Sequence, residues 1–399
     1  MDATDNTDGA TVQSDHGSEA PSLDQDSNKT NGSTTDHKNG TTTGKQEEAS
    51  PEVKDDHKGA LKLLGLEMAP LSIPFHRRLE TFAVLQWWFC FMFLGFLSTS
   101  ISLYILFFTS YYWLTLLLVA WIYYDRRTPF EGGRRSDWVR RWRIWVHMRN
   151  YFPVHLHKTA DLDPSYNYLM GFHPHGIMSM GAFVNFGTEA TGFSQALPGI
   201  RPSLLTLTGW FFFPLARDYL MSAGLCDCGK ESLDYLLGQA GKGNAVVLVV
   251  GGAVESLEAH PHAHRLYLNR RRGFIVKAME HGAHLVPVYS FGETDIYEQM
   301  ANPEGSFLRS VQQKLTKWIG FAPPIYRGRG IFNYNLGLLP YRKPIHTVIG
   351  KPIPVEKNPN PTSDEIKELH QKYKDALVQL FEDNKLKYGV EADRRLSII

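Results

Sequence analysis

The chain has few cysteines and almost no net charge. Its 399 residues include three cysteines, Cys90, Cys226 and Cys228, and carry a formal net charge of +1. Three cysteines cannot build a disulfide framework, so a reducing compartment is predicted for most of the chain. A nearly neutral balance gives no electrostatic reason to expect nucleic acid as a partner.

Several catalytic and cofactor motifs are missing as well. The sequence contains neither the Gly-x-Ser-x-Gly turn of serine hydrolases nor the Gly-x-Gly-x-x-Gly turn that binds dinucleotides. The glycine-rich stretch 241–244 lacks the Lys-Ser/Thr ending of a phosphate-binding loop. Serine-hydrolase chemistry, a dinucleotide cofactor and P-loop chemistry are therefore not indicated.

Aromatic side chains are absent from the N-terminal region, where Phe75 is the first. Residues 1–58 consist mainly of Ser, Thr, Asn, Asp, Gly, Gln and Lys. Such a composition buries too little apolar surface to offset the chain entropy lost on folding. We predict a disordered polar tail over 1–58 and a juxtamembrane segment over 59–80.

Charge is absent from the next segment, between Thr81 and Tyr124. One membrane-crossing helix needs about 20 apolar residues, so 81–124 is long enough for a transmembrane hairpin or a re-entrant one. The polar stretch 98–102 near its middle predicts the turn. Arginines at both flanks predict that both ends lie on the cytosolic side. The alternative is a buried helix pair of a soluble protein.

A basic and aromatic segment follows over 125–150. Trp138, Trp142 and Trp145 are spaced four and three residues apart, so they would share one face of a helix flanked by arginines. Such a helix is typical of one that lies in the plane of the lipid headgroups. A core helix with solvated arginines is the alternative.

Alternating apolar and amphipathic stretches predict an α/β domain over 151–390, with a sheet covered by helices. The apolar runs 245–250, 285–289 and 346–349 are predicted strands, and each precedes a polar loop that contains glycine. We expect these three loops to form one rim of the site.

The strongest candidate for chemistry is the sequence His-Pro-His-Gly at 173–176. The apolar run 166–172 before it predicts a strand. The motif itself predicts a sharp turn, which leads into the start of a helix. Imidazole accepts a proton near neutral pH, which favours general-base catalysis. We assign the base to His175 and an orienting or substrate-contacting role to His173, although the sequence does not distinguish the two. A structural pair and a metal-binding pair are the alternatives.

A glycine pair and a carboxylate accompany this motif. Glu255 follows Gly251 and Gly252 and is the candidate for orienting or charge-stabilising the imidazole. The backbone amides of the glycine pair are candidates for stabilising an oxyanion, and Gly176 relaxes the exit of the turn. A solvated loop glutamate is the alternative for Glu255.

Basic residues open a further predicted helix. Arg272, at the end of the arginine run 270–272, and Lys277 are candidates for binding the phosphates of a nucleotide-like donor. A surface charge run is the alternative. Cys226 and Cys228 together with His260, His262 and His264 could bind zinc, but the Cys-x-Cys spacing is not that of a zinc ribbon or finger, so no metal is predicted.

These motifs together resemble the type 2 diacylglycerol acyltransferase family, which also contains monoacylglycerol and wax-alcohol acyltransferases. The matching blocks are Tyr-Phe-Pro at 151–153, His-Pro-His-Gly at 173–176, Gly-Gly-x-x-Glu at 251–255, Arg-Gly-Phe at 272–274 and Val-Pro-Val-x-x-Phe-Gly-Glu at 286–293. The decapeptide at 125–134 also resembles this family. The resemblance covers about 71–388.

The resemblance implies an enzyme of the endoplasmic reticulum that is often found on lipid droplets. With the predicted hairpin, this makes it a multi-pass protein whose catalytic domain is cytosolic. It implies acyl-CoA as a substrate, with no bound cofactor, and esterification of diacylglycerol to triacylglycerol. Monoacylglycerol and fatty alcohols are alternative acceptors. Membrane lipid is a further expected partner, and homo-oligomerisation is left open.

A distant relation to glycerolipid acyltransferases implies a similar sheet with covering helices. Their His-x-x-x-x-Asp pattern is not matched, because Met178 and Met180 stand five residues after the two histidines. Glu255 is therefore the candidate replacement carboxylate. A non-catalytic lipid-droplet hairpin protein that binds neutral lipid is the rival from another class, and it leaves His-Pro-His-Gly unexplained. A metal-dependent hydrolase is the third reading.

Overall fold

A computed structural model describes residues 61–63, 65–70, 72–303, 305–319 and 324–399. The predicted tail over 1–58 lies outside the described residues, as does the beginning of the predicted juxtamembrane segment. The rest of that segment contains a short antiparallel strand pair and the start of the first helix.

The described residues form a mixed α/β fold. The strands are β1 Leu61–Leu63, β2 Leu66–Met68, β3 Val154–Lys158, β4 Tyr168–His173, β5 Arg201–Thr206, β6 Leu225–Asp227, β7 Asn244–Val249, β8 Arg265–Leu266, β9 His284–Phe291, β10 Glu298–Gln299, β11 Tyr326–Arg327, β12 Ile345–Ile349 and β13 Ser397–Ile398. The helices are α1 Phe75–Phe108, α2 Tyr112–Tyr124, α3 Asp137–Arg140, α4 Arg143–Tyr151, α5 Met180–Ala182, α6 Phe193–Ala196, α7 Ala216–Ser222, α8 Lys230–Gly238, α9 Gly252–Ser256, α10 Gly273–His281, α11 Phe307–Ile319 and α12 Ser363–Asn384.

Seven strands form the central sheet, in the order β3-β12-β9-β4-β7-β5-β6. Strands β4, β5, β6, β7 and β9 are parallel, whereas β12 is antiparallel to β9 and parallel to β3. The predicted sheet with covering helices is confirmed. Because parallel strands end at the same edge, the loops after β4, β7 and β9 meet there.

One predicted member of this rim is misplaced. The run 346–349 is a strand, but β12 is antiparallel to β9, so its carboxyl end lies at the opposite edge of the sheet. Strand direction is set by the connection that precedes the strand, which the apolar pattern does not record.

Both faces of the sheet are covered at its centre, so the residues of β4 are buried whichever way they point. On β4, Met170 and Phe172 belong to a core shared with α1 and α4, whereas Leu169 belongs to a core shared with α8, α10 and α12. Helix α12 begins at a capping box, in which Thr362 and Glu365 each bond to the other's backbone N–H.

The uncharged run forms two helices, but its turn is not where the sequence predicted it. Residues 98–102 lie inside α1, and the chain turns at 109–111. The hydroxyls of Thr99 and Ser102 each donate to the carbonyl four residues earlier, 2.8 Å away in both cases. Because these hydroxyls find partners within the helix, they do not break it.

Within the described residues, α1 is the helix that is long and apolar enough to cross a membrane. It spans 34 residues and includes one turn of π-helix at Cys90–Leu94. Helix α2 packs beside it, with Thr115 donating to the Ser102 carbonyl at 3.0 Å. The 13 residues of α2 extend about 20 Å, which is less than the roughly 30 Å of a bilayer core.

The predicted single helix over 125–150 is wrong. The segment contains two short helices, α3 and α4, which are interrupted between Arg140 and Arg143. Trp138 is 73% exposed, whereas Trp145 is 1% exposed and stacks edge-on against Phe183 in the core. The three tryptophans therefore do not share one face, because the break changes the helical phase between them.

Candidate active site

The His-Pro-His-Gly sequence occupies the loop that follows β4, the middle strand of the seven-stranded sheet. Strand β4 ends at His173 and pairs with β7 on one side and β9 on the other. The loop therefore lies beside 251–252 after β7 and 292–293 after β9. Helix α5 begins only at Met180, after Ser179 with a left-handed φ of 51°.

His175 lies at the wall of a cavity and is only partly buried. Its Nδ1 lies 3.0 Å from the carbonyl oxygen of Gly176. Because a carbonyl only accepts, Nδ1 carries the proton in the neutral ring and Nε2 retains its lone pair. Burial lowers the pKa of this imidazole below its usual 6.5, which keeps the ring neutral at pH 7. The ring is thus set up to accept a proton at Nε2.

The cavity itself is apolar and has a volume of about 180 Å³. Trp87 and Phe91 reach it from α1, and Trp210 and Phe183 reach it from the catalytic domain. The wall therefore joins the candidate base to the helix that is long enough to cross a membrane. Such a lining suits an acyl chain or a glyceride rather than a polar metabolite.

His173 has a different environment. It is fully buried, and its Nε2 lies 3.1 Å from the hydroxyl of Tyr373 on α12, which in turn donates to the Gly171 carbonyl. Burial lowers the pKa of His173 to about 3. Its ring is away from the cavity, so the predicted orienting or substrate-contacting role is not supported, and the structural alternative fits the contacts.

Glu255 is buried next to the motif, but it does not touch an imidazole nitrogen. Its Oε1 accepts the backbone N–H of His175 at 2.7 Å, and its Oε2 accepts that of Tyr267 at 2.9 Å. Burial raises the pKa of this carboxyl to about 7. The predicted contact that orients the imidazole is therefore corrected, because Glu255 holds the backbone of the loop instead.

The three predicted glycines have separate roles. Gly176 has a φ of +61°, and a Cβ there would lie 2.9 Å from Cγ of Glu293. A Cβ on Gly251 would lie 2.2 Å from the Glu255 carboxyl carbon, so this glycine leaves space for that side chain. Of the pair, Gly252 lines the cavity.

The two predicted phosphate-binding cations do not lie together. The ammonium of Lys277 donates to Asp234 at 2.7 Å and to Glu280 at 2.6 Å, so two carboxylates neutralise it. Arg272 is exposed at the start of α10. Arg271, which the sequence analysis did not single out, donates to the Gly251 carbonyl in the loop after β7 at 3.2 Å.

Glu293 is a further candidate site residue, which the sequence analysis included only as the last residue of the motif at 286–293. Its Oε2 accepts the backbone N–H of Gly181 at 2.9 Å, and the hydroxyl of Ser290 donates to the same oxygen at 3.2 Å. Burial raises the pKa of the carboxyl to about 7. Glu255 and Glu293 thus hold the His-Pro-His-Gly loop from its two sides. The sequence signal for this residue is a glutamate that follows a predicted buried strand and a glycine.

The zinc alternative gains no support from the described residues. The group with metal-ligand spacing found there consists of Asp234, Glu280 and His281. Lys277 donates to both carboxylates of that group, so its ammonium already supplies the positive charge.

The comparisons agree with the motifs. A sequence model of the family described as "Diacylglycerol acyltransferase" matches residues 104–399. A bovine protein named 2-acylglycerol O-acyltransferase 1 is 50% identical over 331 residues, which cover 83% of this chain and 98% of that protein. Human diacylglycerol O-acyltransferase 2 is 47% identical over 323 residues, covering 81% and 83% of the two chains.

Among solved structures, the 1-acyl-sn-glycerophosphate acyltransferase of Thermotoga maritima aligns over 78% of this chain and 95% of its own. Its identity is 10% and its TM-score 0.36, a score too low to establish a shared fold. The predicted likeness to the glycerolipid acyltransferase fold therefore stays a prediction. The family model and the close relatives suffice without it: the chain belongs to the diacylglycerol acyltransferase family and is an acyltransferase.

Proposed function

We propose that the chain transfers the acyl group of acyl-CoA to a hydroxyl of an acylglycerol, with His175 as the general base. The observation that carries this proposal is the position of His175 at the wall of an apolar cavity, with Nδ1 held by the Gly176 carbonyl and Nε2 free to accept. His173, bonded to Tyr373 and fully buried, supports the fold of the loop instead.

The reaction needs no covalent intermediate with the protein, because a thioester is already activated. Nε2 of His175 takes the proton of the acceptor hydroxyl as its oxygen attacks the thioester carbonyl carbon. The tetrahedral intermediate then expels the CoA sulfur, breaking the carbon–sulfur bond, and the imidazolium returns the proton to the thiolate. The products are an ester and free CoA.

The surrounding residues position this base and the reacting carbonyl. Glu255 fixes the backbone of His175, and Glu293 fixes the exit of the loop at Gly181. The backbone N–H of Gly252, at the cavity wall, is our candidate for stabilising the oxyanion. The exposed arginines 270–272 are our candidates for the CoA phosphates.

We further propose that α1 and α2 insert into the endoplasmic reticulum membrane as a hairpin, with the catalytic domain on the cytosolic side. The length and apolar surface of α1 support this placement, as do the arginines that flank the pair. The cavity is partly lined by α1, so an acceptor dissolved in the bilayer would reach His175 without entering water. Lipid droplets carry the same kind of lipid surface.

Diacylglycerol is the acceptor that the family resemblance implies. The 50% identity to a relative named 2-acylglycerol O-acyltransferase makes monoacylglycerol the second candidate. The two acceptors require the same chemistry and differ in the number of acyl chains that the cavity and membrane must accommodate.

The test is acyl transfer from labelled oleoyl-CoA in microsomes that carry the full chain. Diacylglycerol, 2-monoacylglycerol and hexadecanol are offered separately, with microsomes that lack the chain as background. We expect an acylglycerol ester as the product, on at least one of the first two acceptors. Product only with hexadecanol, or none above background with correctly localised protein, would contradict the proposal.

A further inference from the structure

A second cavity lies beside the start of α1, and it shares no lining residue with the cavity of His175. Its volume is about 250 Å³, and it is bounded by the first turns of α1 and by the segment 329–342. Four arginines contribute to its wall: Arg77, Arg78, Arg329 and Arg342. The concentration of positive charge in one small cavity is its distinguishing feature.

Arg329 is the least compensated of these cations. Its side chain is 5% exposed, yet among the described residues no carboxylate lies within ion-pair distance of it. Its contacts there are a hydrogen bond from Nε to the Gly330 carbonyl at 3.3 Å and the ring of Tyr334, 4.7 Å from the guanidinium carbon. Buried charges are normally paired, so a buried guanidinium at a cavity wall indicates a missing anion.

Two of the neighbouring arginines contact a carboxylate. Arg77 and Arg342 share that of Glu80, which is buried, and Arg77 Nη1 lies 3.2 Å from it. Arg329 is therefore the guanidinium that an anion in the cavity would neutralise, in a region partly shielded from water.

The rim of this cavity is apolar. Phe82 on α1 is 55% exposed and Phe332 on the facing segment is 72% exposed. The backbone carbonyl of Phe332 accepts the N–H of Ala69 at 2.8 Å, so this part of the rim is held against the chain that leads into α1. A ligand with a negative headgroup and a hydrocarbon part would match both the wall and the rim.

We infer that this cavity binds the phosphate group of an anionic lipid, with Arg329 as its principal ligand. The chemistry recognised is a phosphate ester with at least one full negative charge, and free phosphate carries the same chemistry without the chains. Guanidinium groups bind phosphate oxygens through paired N–H donors, which suits this set of residues. The inference goes beyond acyl transfer and does not depend on it.

The experiment measures the thermal unfolding temperature of the full chain in detergent micelles. Dihexanoyl phosphatidate, dihexanoyl phosphatidylcholine, inorganic phosphate and CoA are titrated separately. We expect a saturable rise in unfolding temperature with phosphatidate and little change with phosphatidylcholine, since a ligand that binds only the folded state raises that temperature. For Arg329→Gln we expect half-saturation to need about tenfold more phosphatidate.

Two controls separate the site from general charge effects. Arg327→Gln removes an arginine two residues away that is exposed and pairs with Glu298, and it should leave the titration unchanged. Arg329→Lys keeps the charge and should lie between the wild type and Arg329→Gln. If Arg329→Gln does not fold, Arg329→Lys becomes the test variant, with half-saturation expected at a higher phosphatidate concentration than in the wild type.

The outcomes distinguish the sources of the phosphate. If phosphatidate saturates the response at a much lower concentration than inorganic phosphate does, the ligand is a lipid. Equal responses to the two compounds would make free phosphate the ligand of the same site. A response to CoA alone would assign the cavity to the acyl donor and overturn the inference. Equal titrations of wild type and Arg329→Gln, or no response to any phosphate, would overturn it too.

Discussion

The two histidines of the loop after β4 are two residues apart, but they meet opposite surroundings. His175 faces an apolar cavity, retains a free ring nitrogen and is held through its backbone by Glu255. His173 is enclosed under α12, where Tyr373 occupies its Nε2. On the proposed mechanism, the same residue type serves chemistry where a cavity meets it and packing where a helix covers it.

The largest expected effect separates the two histidines by activity. Replacing His175 with Ala removes the base, and we expect the initial rate of acyl transfer to fall by a factor of about 10²–10⁴. The unfolding temperature should change little, because the ring is only partly buried. The measurement is labelled acyl transfer at matched protein levels, and a variant with more than about a tenth of wild-type activity would exclude His175 as the base.

The next effect tests how the cavity-facing histidine is positioned. In Glu255→Gln the amide retains one acceptor oxygen, so one of the backbone N–H groups of His175 and Tyr267 loses its partner. A charge-assisted hydrogen bond contributes about 1.5–3 kcal/mol. We therefore expect kcat to fall by about tenfold or more while KM for acyl-CoA stays nearly constant.

Glu255→Ala serves as the stronger variant and Glu258→Gln as the comparison. Glu258 lies one turn away and pairs with Arg309 rather than with the loop. A normal kcat in Glu255→Gln, or a change confined to KM, would show that Glu255 does not position the base.

A smaller effect on activity is expected from replacing His173, the enclosed histidine. We expect His173→Gln to lose about 1–3 kcal/mol of unfolding free energy through the buried hydrogen bond, with activity within about tenfold of wild type. In the wild type, the folded state keeps His173 neutral down to pH of about 3, while the unfolded chain binds a proton below about 6.5. Stability should therefore fall as the pH decreases through that window, by up to about 1.4 kcal/mol per pH unit from this residue.

The measurement for His173 is thermal unfolding in detergent at pH 7.5 and pH 5. The wild type should lose more stability between these pH values than His173→Gln does. An equal loss in both proteins, or a variant that is stable but inactive, would contradict the structural role.

The smallest effect concerns Lys277, which the sequence offered as a phosphate ligand. Since Asp234 and Glu280 already neutralise it, we expect Lys277→Met to change KM for acyl-CoA by less than about twofold and stability by about 0–1 kcal/mol. Arg272→Met is the matched variant, with a rise in KM expected. A large rise in KM for Lys277→Met would restore the sequence-based assignment.

Much of the framework was readable from the sequence, because the signals are local. Apolar runs predicted β4, β7 and β9. Motifs predicted the family and its acyl-transfer chemistry.

The parts that sequence missed depend on contacts between distant residues. No local pattern records that the Glu255 carboxylate meets the backbone of His175, 80 positions earlier, rather than its ring. The position of the turn after α1 was missed because Thr99 and Ser102 bond within the helix. The direction of β12 depends on a connection that periodicity does not describe.

The most direct test of the central claim is the dependence of kcat/KM on pH. If His175 is the base, activity requires its neutral form, so kcat/KM should be lost below a midpoint that lies under pH 6.5, because burial lowers the pKa of this imidazole. Protonation of Glu255, whose pKa burial raises to about 7, should add a partial loss of about tenfold at higher pH, and Glu255→Gln should remove that upper step but keep the lower one. A lower step that persists in His175→Ala, or a rate independent of pH down to the limit of folding, would contradict the account.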